Sequence, residues 1–477
     1  MKKLLFMVLA CLCPSILPAQ TLSLDSCRAL ALRNNKQIKM ADEAVKGAGF
    51  VKKSAFAAYL PGIDFTAGYM YNQHMIELLG EDAKLPTMKF NPATQKYEYN
   101  LVTMPDGTPV KDPATGSYIP SEVAVIPKEA MSYDTHNLFA GAFTLTQPIY
   151  MGGQIRALND IAKYGEEIAV SSRNVAVQDL LYSVDEAYWL VVSLREKQKL
   201  AEGFEVLVDS LYTSVKALHA NGMATRSDIL NVEVKLNEAR IAYTKVSNGL
   251  SLSKMALQQL VGLPIGEPLT LTDEEAMETP RLEYLPDYNM ADVYQRRQDL
   301  EALRQSINLM RGKEKLSLSA MLPKIAAIGT YAFSNPNVNH GFEKRFGGGF
   351  SVGAAVTIPL WHWGGNYHQY RAAKSATVAQ QLLLEDMEEK VELQVRQASY
   401  RFQEAFKTLE MTRTNMIKAD ENLENARLAY REGVLTVDDV TAAQTAWLQA
   451  HSEEVDAEIG VRLCEVYLSK VLGLMPY

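Results

Sequence analysis

Apolar positions along the chain follow two rhythms, and the changes from one to the other mark out its elements. Residues 63–71 set Ile63, Phe65, Ala67, Tyr69 and Tyr71 against Asp64, Thr66, Gly68 and Met70. This alternation predicts a strand. A second stretch, 137–147, sets Phe139, Gly141, Phe143 and Leu145 against Ala140, Ala142, Thr144 and Thr146. Two more are predicted at 325–334 and 347–358, the latter with Phe350, Val352, Ala354, Val356 and Ile358 opposite Ser351, Gly353, Ala355 and Thr357. Each stretch is about ten residues long, oily on one face and small or polar on the other, as expected of barrel strands with lipid outside and water inside. Four such strands cannot close, because a barrel needs about eight or more and lipid does not tolerate an open edge. The pattern therefore implies an oligomer. Tyr59, Tyr150, Trp361 and Trp363 at the strand ends fit an interfacial aromatic belt, with core packing the alternative for any single one.

The second rhythm is helical. Opening helices are predicted at 24–56 and 290–320, with Leu32, Ile38 and Val45, and Leu300, Leu303 and Ile307, as apolar positions. After each strand pair comes a much longer pattern. Val391, Val395, Ala398, Phe402, Ala405 and Leu409 begin a run that steps by four and three as far as Tyr430. A shift of 211 reproduces it from Leu180 through Val184, Ala187 and Val191, with polar entries at Gln198, Glu205 and His219. Return helices keep the spacing from Val440 to Val471 and from Ile229 to Leu260. Such a sustained 3.5-residue period predicts left-handed coiled-coil packing. At 1.5 Å per residue the outgoing helices would run on the order of 100 Å, more than a compact globule needs.

The matching offsets reveal an internal duplication. Tyr59-Leu60-Pro61-Gly62-Ile63 recurs as Met321-Leu322-Pro323-Lys324-Ile325, an offset of 262. Beyond the second strand, Gln147-Pro148-Ile149-Tyr150 recurs as Ile358-Pro359-Leu360-Trp361, and Leu260-Val261-Gly262-Leu263 as Val471-Leu472-Gly473-Leu474, an offset of 211. The difference is an insertion of 51 residues, and seven prolines between Pro86 and Pro127 mark it as loop. The expected division is a first repeat at 20–261 with an inserted loop at 76–135, a connector at 262–289 and a second repeat at 290–477.

Composition adds limits. Apolar residues are 47% and charged residues 22% of the 477, and the net charge is −8. That excludes global disorder and disfavours nucleic acid as a partner. Met1-Lys2-Lys3, an apolar run and Leu17-Pro18-Ala19 read as a secretory signal cleaved after Ala19, with a lipoprotein reading at Cys11 as the lesser alternative. Cleavage would leave Cys27 and Cys464, for which one bridge is conceivable, although Cys464 lies on an apolar stripe where a buried thiol is commoner. The seven histidines are scattered and no phosphate loop or nucleophile elbow is present, so no enzyme activity, cofactor or metal is expected. Gly347-Gly348-Gly349 reads as a barrel hairpin turn.

The repeated order of Pro-led strand pair, Pro-aromatic-Gly-Gly exit, long helix, Gly-containing turn with a following Asp, and return helix ending in Leu/Val-Gly-Leu resembles the TolC-like outer-membrane efflux family over essentially the whole mature chain. Its most specific stretch is Tyr430-Arg431-Glu432-Gly433-Val434-Leu435-Thr436-Val437-Asp438-Asp439-Val440. The resemblance implies an α+β, mostly helical fold: coiled-coil hairpins forming a periplasmic α-barrel, and four strands per chain in a twelve-stranded outer-membrane β-barrel shared by a homotrimer. It implies a passive exit duct for efflux or type I secretion, in outer-membrane lipid, with a periplasmic adaptor and an inner-membrane pump as partners. By the same resemblance Asp228 and Tyr430 match gate positions, and Asp439, with Asp438, an acidic entrance ring. The basic residue of the family's second turn is Leu435 here, and Arg226 on the first turn is the expected substitute, pairing with an acidic residue of the hairpin tips. Asp228 and Asp439 also read as N-caps of the return helices. Gly222 and Gly433 suit turns of positive φ, and with Met223, Ala224, Val434 and Leu435 they are the candidates for adaptor docking. The alternative class, a pore-less periplasmic coiled-coil adaptor or surface structural protein, is disfavoured by the duplication and by the oily strand face.

Overall fold

In the computed structural model the described residues are 21–275 and 288–476, so the expected leader at 1–19 and part of the connector lie outside them. The chain begins with β1 (Thr21–Leu22), α1 (Leu24–Asn34), α2 (Lys36–Ala57) and β2 (Gly62–Tyr71). Six short strands follow: β3 (Ile76–Glu77), β4 (Ala83–Pro86), β5 (Met88–Asn91), β6 (Lys96–Tyr99), β7 (Val123–Ile126) and β8 (Ser132–Tyr133). Then come β9 (Asn137–Tyr150), α3 (Gln154–Ala220), α4 (Arg226–Val261) and β10 (Thr270–Leu271). The second half comprises α5 (Met290–Arg296), α6 (Gln298–Ser319), β11 (Lys324–Asn335), β12 (Gly347–Thr357), α7 (Gly365–Arg431) and α8 (Val437–Val471). These elements form a β unit (Phe56–Ile155, Leu318–Tyr367) and a helical unit made of the remainder.

The β unit is built on one antiparallel sheet in the order β12-β11-β9-β2. Its register turns the alternation in sequence into rows. Asp64 lies opposite Thr144, Thr144 opposite Thr330 and Thr330 opposite Ser351, so a carboxylate and three hydroxyls cross one face in line. The adjacent row on the other face is Phe65, Phe143, Tyr331 and Phe350. On that face Ile63, Val352 and Phe350 are each more than 70% exposed, an apolar surface that a chain in water would bury. Tyr59, Tyr150, Trp361 and Trp363 are all exposed and flank the same end of the sheet, where β2 starts and β9 and β12 end.

The proline-rich insertion departs from the expected loop. Its six short strands pair as β3 with β8, β4 with β7 and β5 with β6, a nested hairpin that continues outward from the β2–β9 pair. Isolated bridges such as Leu101 to Pro120 and Lys111 to Tyr118 extend it. Proline lacks only the amide donor, so ladders this short accommodate it at an edge. Gly347-Gly348-Gly349 also departs from expectation: it opens β12, and the turn lies before it.

In the helical unit α3 and α7 each run for 67 residues. Along both, the seam positions are buried or half-buried, His219 excepted. The expected opening helices are not continuous. Each is broken by one extended residue, Asn35 (ψ 132°) and Arg297 (ψ 120°), at equivalent positions of the two repeats. The break is held from outside. The Asn35 side-chain amide donates to the Leu260 carbonyl at 3.0 Å, and the Arg297 guanidinium donates to the Val471 carbonyl at 3.2 Å. Those carbonyls are themselves equivalent, and they would otherwise be orphaned at a helix end. The glycine that follows each helix, Gly262 (φ +77°) and Gly473 (φ +69°), runs against the break: a Cβ on them would stand 2.5 Å from Asn34 and 3.1 Å from Arg296. This close approach explains the repeated Gly-Leu that ends each return helix.

The principal cores gather at these joints. Ala31, Ile38, Leu180, Val184, Val191 and Leu257 form the first, and Val293, Leu300, Val391, Val395, Phe402 and Leu468 the second. Beside the first core the fully buried Asp185 accepts from Arg28 at 2.7 and 2.6 Å, and the Tyr188 hydroxyl donates to Asp273. Cys27 and Cys464 are free thiols, and burial pushes the Cys27 thiol up to about 11. No described helix is long and apolar enough to cross a membrane.

Candidate functional site

Both helical hairpins close with the same two devices, placed back to back. At the end of α3 the Met223 amide donates to the Leu218 carbonyl and Gly222 to His219, each at 2.9 Å. At the end of α7 Val434 donates to Ala429 at 2.9 Å and Gly433 to Tyr430 at 3.0 Å. These are Schellman closures, which need a left-handed residue; Gly222 and Gly433 supply it at φ +73° and +74°.

Three residues later a capping box starts each return helix. The Thr225 hydroxyl accepts from the Asp228 amide, and the Asp228 carboxylate accepts from the Thr225 amide at 2.7 Å. Thr436 and Asp439 repeat the arrangement, the carboxylate accepting from the Thr436 amide at 2.9 Å. The N-cap residues are therefore Thr225 and Thr436. The two aspartates, expected as caps, are their reciprocal partners in the first turn. The Thr-x-x-Asp spacing carried this signal in the sequence. The Thr225 amide, then its hydroxyl, and lastly His219 hold the Asp228 carboxyl below its ordinary range; the Thr436 hydroxyl and then its amide do so for Asp439.

Between the two hairpin ends opens a cleft of about 700 Å³ whose lining includes Asp228, Arg427, Tyr430, Leu435 and Gln444. Leu211, Val437 and Val440 of its lining belong to an apolar cluster with Val208, Val215 and Ile229, against which Tyr430 and Ala224 pack. Burial, and after it the Asp228 carboxylate, push the Tyr430 phenol above its ordinary value. Asp228 and Tyr430 thus share one cleft within a chain. Gly222, Met223, Gly433 and Val434 are exposed around it, and Ala224 and Leu435 are half-buried. Asp438 and Asp439 are exposed on the second hairpin. Arg226 is exposed and forms no ion pair among the described residues. His219, expected only as a polar seam entry, joins its ring Nδ1 to the Ala224 carbonyl at 2.8 Å across the turn. Among the described residues no group of three or more His, Cys, Asp or Glu is placed to hold a metal.

The profile of the outer membrane efflux protein family matches residues 114–263 and 290–474. The chain belongs to that family. It is an outer-membrane transport protein, an exit duct, and its fold is shared with solved outer-membrane channels. The Campylobacter jejuni CmeC outer membrane channel superposes with a TM-score of 0.70 at 16% identity, covering 94% of this chain and 85% of that one. The open state of the Neisseria gonorrhoeae MtrE outer membrane channel gives 0.71 at 17% identity, covering 94% and 88%. A structure of CusC, described as forming a transmembrane channel, gives 0.72 at 14% identity, covering 94% and 91%. In sequence the chain is 23% identical to protein CyaE of Bordetella pertussis over 322 residues, 66% of each protein.

Proposed function

We propose that three chains close a twelve-stranded barrel in the outer membrane, and that the six hairpin ends form the periplasmic entrance of a duct for efflux or type I secretion. The observation that carries this reading is the sheet itself. Its outer strands β12 and β2 run in opposite directions, so β12 of one chain can pair antiparallel with β2 of the next, and whole sheets add without breaking the alternation. Closure satisfies both free edges, turns the exposed apolar face to lipid and lines the lumen with the row of Asp64, Thr144, Thr330 and Ser351.

At the entrance, Asp228 and Tyr430 hold the hairpins together, with Arg226 free to reach an acidic residue of the adjoining chain. Three copies of Asp438 and Asp439 form a ring that concentrates cations. The exposed turns, Gly222 to Ala224 and Gly433 to Leu435, offer apolar Met223 and Val434 as the surface on which an adaptor docks, delivering cargo from an inner-membrane pump.

The test is the protomer count of the chain extracted by detergent from outer membranes, by light scattering corrected for bound detergent. Three protomers are expected. Two would mean an eight-stranded closure, and a particle that needs no detergent would replace the duct with a pore-less coiled-coil protein.

A further inference from the structure

Residues 336–346 join β11 to β12 at the end of the sheet where β2 and β11 end, yet they do not extend outward from the strands. They fold back across the face that carries Asp64, Thr144, Thr330 and Ser351. Asn337 and Ser334 are almost fully buried there. A Cβ on Gly347 would stand 2.0 Å from the Asn337 amide, and one on Gly349 would stand 3.3 Å from that of Asn339. Gly348 points to the other face, where a Cβ would meet the Tyr331 hydroxyl at 2.8 Å. The triple glycine is thus explained residue by residue: two remove side chains beneath the turn and the third admits a phenol.

Several bonds fix the fold-back. The backbone amide of Asn337 donates to the Glu343 carbonyl at 2.8 Å, that of Val338 to the Ser334 hydroxyl at 3.3 Å and that of Asn339 to the Asn337 side chain at 3.1 Å. Its far side is tied to the base of the insertion. Lys344 pairs with Asp134 at 2.7 Å, Asp134 also meets His136 at 2.7 Å, and the Phe342 ring packs on Tyr133 at 5.2 Å. The turn also overhangs strands it is not joined to. A hollow of about 490 Å³ is lined by Thr66, Gly68, Ala140 and Ala142 from the sheet and by Val338 and Asn339 from the turn.

We propose that residues 336–346 are an inward-folded strap that narrows the outside mouth of the duct and sets an upper size for what crosses it. The inference rests on the barrel reading, since only closure makes the small-residue face a lumen. Pore diameter at the narrowest ring governs passage of neutral solute, and three straps at one rim would form such a ring, separate from the periplasmic entrance.

The experiment places a cysteine on the lumen row, Thr330→Cys, in the full chain on intact cells and labels it from outside. The reagents are a small methanethiosulfonate and a maleimide carried on polyethylene glycol, and the chain without the new cysteine is the blank. With the strap in place the small reagent should react readily and the bulky one slowly. Gly347→Val, which forces the strap off the strand, should speed the bulky reagent by about tenfold while leaving the small one unchanged. Gly68→Val adds the same side chain on the same face with nothing within 4 Å and should not speed it. If Gly347→Val fails to assemble, Lys344→Ala releases the far side and should give a smaller increase. Equal rates for both reagents with the native strap, or no change in variants that keep the native mass, would overturn the proposal. Labelling of Val352→Cys as fast as Thr330→Cys would instead overturn the barrel reading, because Val352 should face lipid.

Discussion

Asp228 and Asp439 close the capping boxes of the return helices, and the duty proposed for them at the entrance is separable from that one by experiment. Both carboxyls sit below their unfolded pKa because Thr225 and Thr436 donate to them. A depressed carboxyl stabilises the fold above the unfolded value of about 3.9, and the contribution fades as pH falls through the depressed folded value. Amide protection at the start of α4 and α8, with exchange corrected for its intrinsic pH dependence, should therefore stay constant from neutral pH down to about 5 and fall only under stronger acid. A step near neutrality would tell against the two carboxyls as its source. Thr225→Ala or Thr436→Ala should loosen the same amides by about 1 kcal/mol at neutral pH. The channel role reads out differently: Tyr430→Phe combined with Asp228→Ala should raise conductance in planar bilayers, and unchanged conductance would remove both from the gate. Asp439→Asn should weaken cation preference, measured as a shift in reversal potential. At this scale the sequence was only partly legible. Thr-x-x-Asp announces a capping box, but Asp alone is also a good cap, and choosing between them needs the backbone direction at the turn. Nor can a sequence tell whether Arg226 meets its acid within one chain or across two.

Among the elements, periodicity located the strands and long helices closely and failed where two helices touch. Ala31 and Ile38, and Val293 and Leu300, remain in helical phase across Asn35 and Arg297, so nothing in the hydrophobic pattern reports the breaks. Those breaks exist because the ends of the return helices press on them, contacts 225 and 174 residues apart in sequence. The joints give a comparison that isolates this contact. Gly262→Ala must accept both a left-handed backbone and a Cβ against Asn34, whereas Gly222→Ala meets nothing within 4 Å. The second should cost about 1–2 kcal/mol, the left-handed penalty alone, and the first clearly more, as a lower melting temperature. Equal losses would mean that the joint yields and does not carry packing. Proline count misjudged the insertion for a related reason: it registers lost donors, while the nested pairing of β3 through β8 depends on partners as far apart as Ile76 and Tyr133.

For the whole molecule the informative quantity is the register that links alternation in separate strands into continuous rows. Adjacent residues in β12 should then respond in opposite ways. Val352→Lys places a charge on the oily face and should cost about 2–4 kcal/mol near the bilayer midplane, seen as loss of assembled protein from outer membranes. Ser351→Lys should assemble normally and change ion selectivity. Matching defects in both would mean that the sheet has no distinct lipid side. The same oily face has a consequence for biogenesis. Until its edges are joined, each newly exported chain presents aromatic strands to water and two unpaired edges to its neighbours, an aggregation hazard. Assembly must then be a race between productive meeting and misassociation. Its yield should vary non-monotonically with expression level, and a periplasmic holdase that masks the sheet should matter most for the chain while it is still alone.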